Sequence, residues 1–286
     1  MNSLRSFESA RLRTVNGVKF DAILLAAGFG TRLKPLTDVL PKCLVPIHGR
    51  PLIDYWLEPL VEAGAERILV NTHYKADLVT RYLQLTPWWD KITVVYEETL
   101  LGTAGTLIAN ASFVGDRPCL LAHADNLSIF SIADFINAHE QRPARAVITL
   151  MTFNAHDPQA CGIVAVDENG LVIEFHEKVQ DPPGSLANGA VFVVDRELFL
   201  EISTMPLPVT EISTDVLPHM LRRIATWPND GYHRDIGTPS SYAEAHLEVA
   251  ETNPSEVAAA RWLTFLTTLT PSEQMVISEA RTSQTR

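Results

Sequence analysis

Two glycines, Gly28 and Gly30, stand directly behind the apolar run Ala22 to Ala26, with Arg32 and Lys42 in the same stretch, LLAAGFGTRLKPLTDVLPKCLVP from Leu24 to Pro46. Closely spaced glycines let backbone N–H groups approach anionic oxygens. Arg32 adds a fixed fork of donors that suits phosphate, and Lys42 a mobile point charge. The chemistry this spacing could support is the neutralisation of a phosphorylated ligand. Two readings compete with it. A glycine turn after a strand is also ordinary packing chemistry. A dinucleotide fingerprint, G-x-G-x-x-G, fails at its third glycine, where Leu33 stands, and no ribose-binding acid ends the next strand near Asn71.

The elements that must hold these groups follow from periodicity. Ala22 to Ala26 has no helical period and runs into the turn, as a buried strand does. Pro35, Pro41 and Pro46 keep the segment behind it from forming one long helix. Up to about Leu150, strand-like runs at 22–26, 67–71, 92–96, 118–122 and 146–152 alternate with helical segments at 52–63, 75–83, 103–110 and 132–139. That alternation predicts a parallel sheet with crossover helices. Ligands of such sheets bind at the carboxyl ends of the strands, where both the glycine turn and Asp125 fall. After Phe153 the texture changes to short strands, 162–166, 171–176 and 190–194, with an Asp167-Glu168-Asn169-Gly170 turn that predicts an antiparallel hairpin. Helices are expected at 215–223, 240–251 and 256–269.

Composition narrows the function classes. The chain has 286 residues and a net charge of -11, which disfavours nucleic acid as a partner. An anionic ligand would therefore need a local basic cluster, and Arg32, Lys34, Lys42 and Arg50 supply one beside the glycine turn. Cys43, Cys119 and Cys161 lack metal-ligand spacing and read as buried thiols. No apolar run approaches the ~20 residues that span a bilayer, and residues 1–19 lack a secretory h-region, so a soluble cytoplasmic protein without a membrane partner is expected.

The segment LAAGFGTRLKPLT, then Pro41-Lys42, Pro46 and Gly49-Arg50-Pro51-Leu52-Ile53, resembles the signature of the sugar nucleotidyltransferases, the nucleotide-sugar pyrophosphorylases. The resemblance continues through Asp235. It implies an α/β fold with a Rossmann-like, mainly parallel sheet flanked by helices, a smaller sugar-binding β hairpin region and a helical C-terminal tail. The implied division is an N-terminal extension over 1–19, a catalytic domain over 20–252 and a tail over 253–286. Within the catalytic domain, 20–152 would be mainly nucleotide-binding, and 153–239 would bind sugar and metal.

The partners so implied are a nucleoside triphosphate and a sugar 1-phosphate, with homo-oligomerisation left open. The expected reaction is direct in-line attack on the α-phosphorus with release of pyrophosphate. Arg32 would hold the departing pyrophosphate and Lys42 the α-phosphate. Asp125 and Asp235 would hold Mg²⁺, a hard ion that takes oxygen ligands and bridges phosphates; either aspartate could instead serve a local turn. Leu25, Ala26, Ala27, Gly28, Gly30 and Thr31 would line the nucleotide with Arg32 and Lys42. Gly102 and Thr103, in the second glycine segment LGTAG, would approach the base from the far side, unless Thr103 simply caps its helix.

Gly162, Glu177, Lys178 and Asn188 would contact the sugar phosphate. Adjacent strand residues face opposite ways, so Glu177 and Lys178 can share a ligand only at a bulge or strand end. His123 and Cys161 depart from the family's common glycine and aromatic residue. The combination of EETLLGTAGTL, STDVLP and DIGTP is similar to the mannose-1-phosphate guanylyltransferase branch, with GTP and mannose 1-phosphate as the implied pair; uridylyl and thymidylyl branches share nearly all the residues above. A catalytically idle, ligand-sensing relative would be expected to lose one of Arg32, Lys42, Asp125 and Asp235, and all four are present.

Overall fold

Both faces of the first strand, β1 (Phe20–Leu25), are buried, and this dictates a layered architecture. Ala22 and Leu24 join one apolar layer with Trp56, Tyr82 and Phe135, while Ile23 and Leu25 join the other with Leu107, Phe192 and Phe199. A strand covered on both sides needs no polar alternation, which is why the run Ala22 to Leu25 is continuously apolar, while the buried Asp21 before it is paired with Arg67 and Arg117. The computed structural model describes residues 17–206, 208–249 and 256–282. The further strands are β2 (Pro46–Ile47), β3 (Arg50–Pro51), β4 (Ala65–Thr72), β5 (Ile92–Tyr96), β6 (Cys119–His123), β7 (Asn126–Ile129), β8 (Ile148–Asn154), β9 (Gly162–Val166), β10 (Val172–Glu177), β11 (Leu186–Val194), β12 (Ile224–Pro228) and β13 (Tyr232–Asp235). Helices are α1 (Leu36–Val39), α2 (Asp54–Glu62), α3 (Ala76–Gln84), α4 (Gly102–Ala109), α5 (Ile132–Glu140), α6 (Arg196–Ile202), α7 (Pro239–Glu248), α8 (Glu256–Leu266) and α9 (Pro271–Thr282).

The central sheet runs β10-β9-β11-β6-β1-β4-β5, with β8 against β11 and β12 against β8. β6, β1, β4 and β5 are mutually parallel, and helices cover the sheet, the mainly parallel α/β arrangement expected from the alternation. β9 and β10 form the antiparallel hairpin. The run at 146–152 departs from expectation. It does not extend the parallel block, because β11 inserts antiparallel between β6 and β8. Val191 to Val194 are buried, so β11 fits the sheet interior, and a register shift between Asn188 and Phe192 marks where it bends.

The helix expected at 215–223 is instead a π turn, Ile212–Val216, followed by a 3-10 turn, Leu217–Met220. Pro218 removes an N–H that an α-helix would need there. The carboxylate of Asp215 accepts from the N–H groups of Thr210 and Glu211, which winds the chain back on itself.

The C-terminal helices are part of the packed body. Phe265 packs edge-on against Tyr82 at 5.3 Å, and α9 rests on α1, within the signature stretch. The Arg261 side chain, 3% exposed, reaches into the core to bond Asp54 Oδ2 at 2.7 Å and the Tyr82 hydroxyl at 3.1 Å. Most of the N-terminal extension and the first residues of the expected tail, 253–255, lie outside the described residues. Among the described residues no helix is long and apolar enough to cross a membrane.

Candidate active site

The glycine turn leaves β1 at the carboxyl edge of the sheet. Leu25, Ala26 and Ala27 are buried, and Gly28, Thr31 and Arg32 are exposed. Among the described residues the N–H groups of Gly28, Phe29 and Gly30 have no protein acceptor, so they remain available to an anion. The Ala26 N–H is already committed to Asn71 Oδ1 at 2.7 Å, which leaves Ala26 as wall rather than donor. Gly30 has φ +63°, and a Cβ there would stand 3.0 Å from Lys42 Cβ and 3.0 Å from Thr37 Cγ2. Left-handed backbone and close approach together require glycine.

Lys42 opens a short 3-10 turn, Lys42–Leu44, behind Pro41. Its side chain is only 7% exposed, and its Nζ lies 2.9 Å from Asp125 Oδ2 and 2.9 Å from Asp235 Oδ1. The mobile point charge expected from sequence is therefore a held one. Arg32 Nη2 completes the group 3.7 Å from Asp235 Oδ2. Chain topology makes this meeting possible: Asp125 occupies the turn between β6 and β7, and β13 pairs with β7 so that Asp235 sits opposite Asn126. The other two cations of the sequence cluster are engaged elsewhere, Lys34 with Asp38 at 2.9 Å and Arg50 with Glu58 at 2.7 Å. Arg32 and Lys42 are the pair left facing the carboxylates.

Protonation follows from this geometry. Burial, the largest influence on Lys42, pulls its pKa down, but the two carboxylates outweigh it and the net shift is upward. For Asp125 burial pushes up, and the attraction of Lys42, aided by His123, carries the carboxyl below its ordinary value. Both shifts favour the ion pair. Burial takes His233 down to about 4, so it is neutral at pH 7, with Nδ1 2.7 Å from Ser128 Oγ.

Asp125 and Asp235 each place one oxygen 2.9 Å from the same cationic nitrogen, and no cluster of three or more metal-ligating side chains occurs among the described residues. Two carboxylates with open positions suit an ion that shares its shell with substrate phosphates, the habit of Mg²⁺. The donor set fits that ion.

The second glycine segment differs from expectation in its capping. Gly102 has φ +75°, and a Cβ there would meet Thr210 O at 2.4 Å. Thr103 does not cap α4; its hydroxyl donates to Glu211 Oε2 at 3.0 Å and accepts from the Ile212 N–H at 2.8 Å. The Ala104 N–H bonds Thr210 O at 2.8 Å, so the end of α4 is partly closed by the 210–212 loop.

On the hairpin side, β10 ends at Glu177 and Lys178 turns to φ +49°, which brings its Nζ 3.5 Å from Glu177 Oε1. The strand-end condition for both to face one ligand is met. Gly162 pairs with Glu177, and a Cβ on it would stand 2.6 Å from Glu177 Oε2. Asn188 spends its Oδ1 on the Ala190 N–H at 2.8 Å, across the β11 bend. Sequence reasoning missed Glu97 and Thr106, which lie buried beside Asn71. Glu97 reads as an exposed charge in EETLL, and the only signal was its place at a strand end before a glycine segment.

The fold and these groups define an α/β protein with a cation-bridged carboxylate pair at the carboxyl edge of a mainly parallel sheet. The family model described as Nucleotidyl transferase matches residues 21–252, and the chain belongs to that family. The mannose-1-phosphate guanylyltransferase of Mycobacterium tuberculosis is 31% identical over 235 residues, 80% of this chain and 64% of that protein. The glucose-1-phosphate adenylyltransferase of Thermotoga neapolitana is 30% identical over 292 residues, 92% of this chain and 68% of that protein. The chain thus spans about two thirds of the length of these relatives. A crystal structure from Bacillus anthracis, provisionally described as a glucose-1-phosphate thymidylyltransferase, superposes with TM-score 0.75 at 22% identity, covering 84% of this chain and 98% of that one; it shares the fold.

Proposed function

We propose that this chain joins a nucleoside triphosphate to a sugar 1-phosphate, giving a nucleotide sugar and pyrophosphate, with GTP and mannose 1-phosphate as the preferred pair. The carrying observation is Lys42 Nζ at 2.9 Å from both Asp125 and Asp235, with Arg32 3.7 Å from Asp235, beside free N–H groups of the glycine turn. The reaction brings two anions together, so charge must be neutralised before a sugar-phosphate oxygen can reach the α-phosphorus. Positioning and electrostatics carry most catalysis in phosphoryl chemistry.

The N–H groups of the glycine turn receive the triphosphate. Arg32, exposed and forked, binds the two phosphates that depart. Lys42, kept protonated by its carboxylates, faces the α-phosphate, where negative charge grows during attack. Asp125 and Asp235 would hold Mg²⁺, which when bound withdraws charge from the phosphate oxygens. Glu177 and Lys178 receive the sugar phosphate from the hairpin, with Gly162 leaving room for Glu177; Asn188 shapes the strand behind them. The proposed division assigns 20–152 mainly to the nucleotide and 153–239 to the sugar and metal, within a catalytic domain of 20–252.

The guanylyl choice is supported by the 31% identity to the Mycobacterium tuberculosis protein. An adenylyl reaction on glucose 1-phosphate is the second reading, since the Thermotoga neapolitana relative is nearly as similar over 92% of the chain. Pyrophosphate release with four triphosphates and a panel of sugar 1-phosphates, with and without Mg²⁺, separates them. Turnover with GTP and mannose 1-phosphate above all other pairs is expected. A preference for ATP and glucose 1-phosphate would establish the second reading, and binding without turnover of any pair would make the chain a sensor.

A further inference from the structure

The two glycine segments are joined beneath the cleft by a buried polar chain that the transfer chemistry does not use. Asn71 is the penultimate residue of β4 and is 3% exposed, Glu97 follows β5 at 5%, and Thr106 lies within α4 at 1%. Asn71 Oδ1 accepts from the Ala26 N–H at 2.7 Å, and its Nδ2 donates to Glu97 Oε1 at 2.9 Å and approaches Thr106 Oγ1 at 3.2 Å. Thr106 Oγ1 stands 2.5 Å from Glu97 Oε1 and 2.9 Å from Gly102 O, its one proton serving either. Glu97 Oε2 accepts the Leu101 N–H at 3.3 Å. A continuous path therefore runs from the backbone of the first glycine segment to that of the second. Buried polar groups are retained at a cost unless fully paired, and every polar atom of these three side chains has a partner.

We propose that Asn71, Glu97 and Thr106 form a staple that fixes the separation of the two glycine segments and so sets the width of the nucleotide slot. They are positioning residues, and the inference rests on the triphosphate reading of the cleft. Because the staple touches backbone on both sides and presents no free donor or acceptor, it governs affinity for triphosphates as a class. It leaves the sugar-phosphate hairpin alone, since β9, β10 and Lys178 make none of these bonds.

Equilibrium binding of GTP, ATP, UTP and dTTP, each with Mg²⁺, to the full chain and its variants tests this without turnover. Asn71→Leu cuts the link on both arms. Thr106→Val keeps the shape and removes one hydroxyl, so it serves if Asn71→Leu fails to fold. The expected result is a Kd raised about tenfold for every triphosphate the wild type binds, the scale of one lost buried hydrogen bond. In steady state the KM for triphosphate rises while that for sugar 1-phosphate stays within about twofold. Glu97→Gln, which retains one acceptor, falls between wild type and Asn71→Leu. An unchanged Kd in a folded Thr106→Val variant, or a loss confined to one base, would overturn the staple. Failure of the wild type to bind any triphosphate would instead overturn the functional reading beneath it.

Discussion

Replacing Lys42 by methionine removes the charge and keeps most of the stem, so it isolates what the bridge contributes. Two unit charges 2.9 Å apart attract by roughly 6 kcal/mol at an effective dielectric of about 20. Desolvation offsets a large part of that attraction. Removing one partner of a buried pair still costs about 3–5 kcal/mol, because the other is left uncompensated. Asp125, with 24% of its side chain exposed, lies near the lower end of that range, and the 55% exposed Asp235 is screened to about 0–1 kcal/mol. Lys42→Met should therefore lose about 3 kcal/mol, or roughly 6–10 °C in Tm. Turnover should fall about 10²–10³-fold, the scale of one lost transition-state donor. Thermal unfolding of Lys42→Met, Asp125→Asn and the double variant measures the coupling: in the Asp125→Asn background the lysine change should cost only about 1 kcal/mol. Equal costs in both backgrounds, within about 0.5 kcal/mol, would refute the bridge.

Gly30→Ala forces a side chain into left-handed backbone 3.0 Å from Lys42 Cβ, so about 1–2 kcal/mol of stability and at least tenfold in turnover should be lost, read by urea unfolding and pyrophosphate release. Arg261→Met strands the Asp54 carboxylate, whose Oδ1 has no hydrogen-bond partner among the described residues, and should cost about 3 kcal/mol or more by the same unfolding assay. The folded-state carboxyl of Asp125 lies below its ordinary value, so its contribution is present above about pH 4 and is lost as pH falls through the folded value. Between pH 5 and pH 3 the urea midpoint of wild type should fall further than that of Asp125→Asn; parallel curves would remove Asp125 from the pair.

Legibility in the sequence tracked local signals. β1, β4, β5 and β9 were visible because apolar runs end at glycine, asparagine or an acidic turn, and their helices carry a clear period. β7 and β13, NLSI and YHRD, are four residues each, too short for a pattern to stand out, yet their pairing is what brings Asp125 to Asp235. Their convergence could be anticipated only through resemblance. The inserted β11 was half seen, since Asn188 and Gly189 hide the first half of the strand behind a bend. Lysine type argues for solvent, so the burial of Lys42 had no sequence signal. Glu97 and Arg261 were silent for the same reason, a charged type that argues for solvent, and the partners Asn71 and Asp54 lie far from them in sequence.

The most direct measurement of the proposed centre follows the label from an α-³²P triphosphate, with mannose 1-phosphate and other sugar 1-phosphates as acceptors, in wild type and Lys42→Met. Label entering a nucleotide sugar, one per pyrophosphate released, in the wild type and nearly abolished in Lys42→Met is the expected result. Label released as free monophosphate, or transfer by Lys42→Met at the wild-type rate, would contradict it.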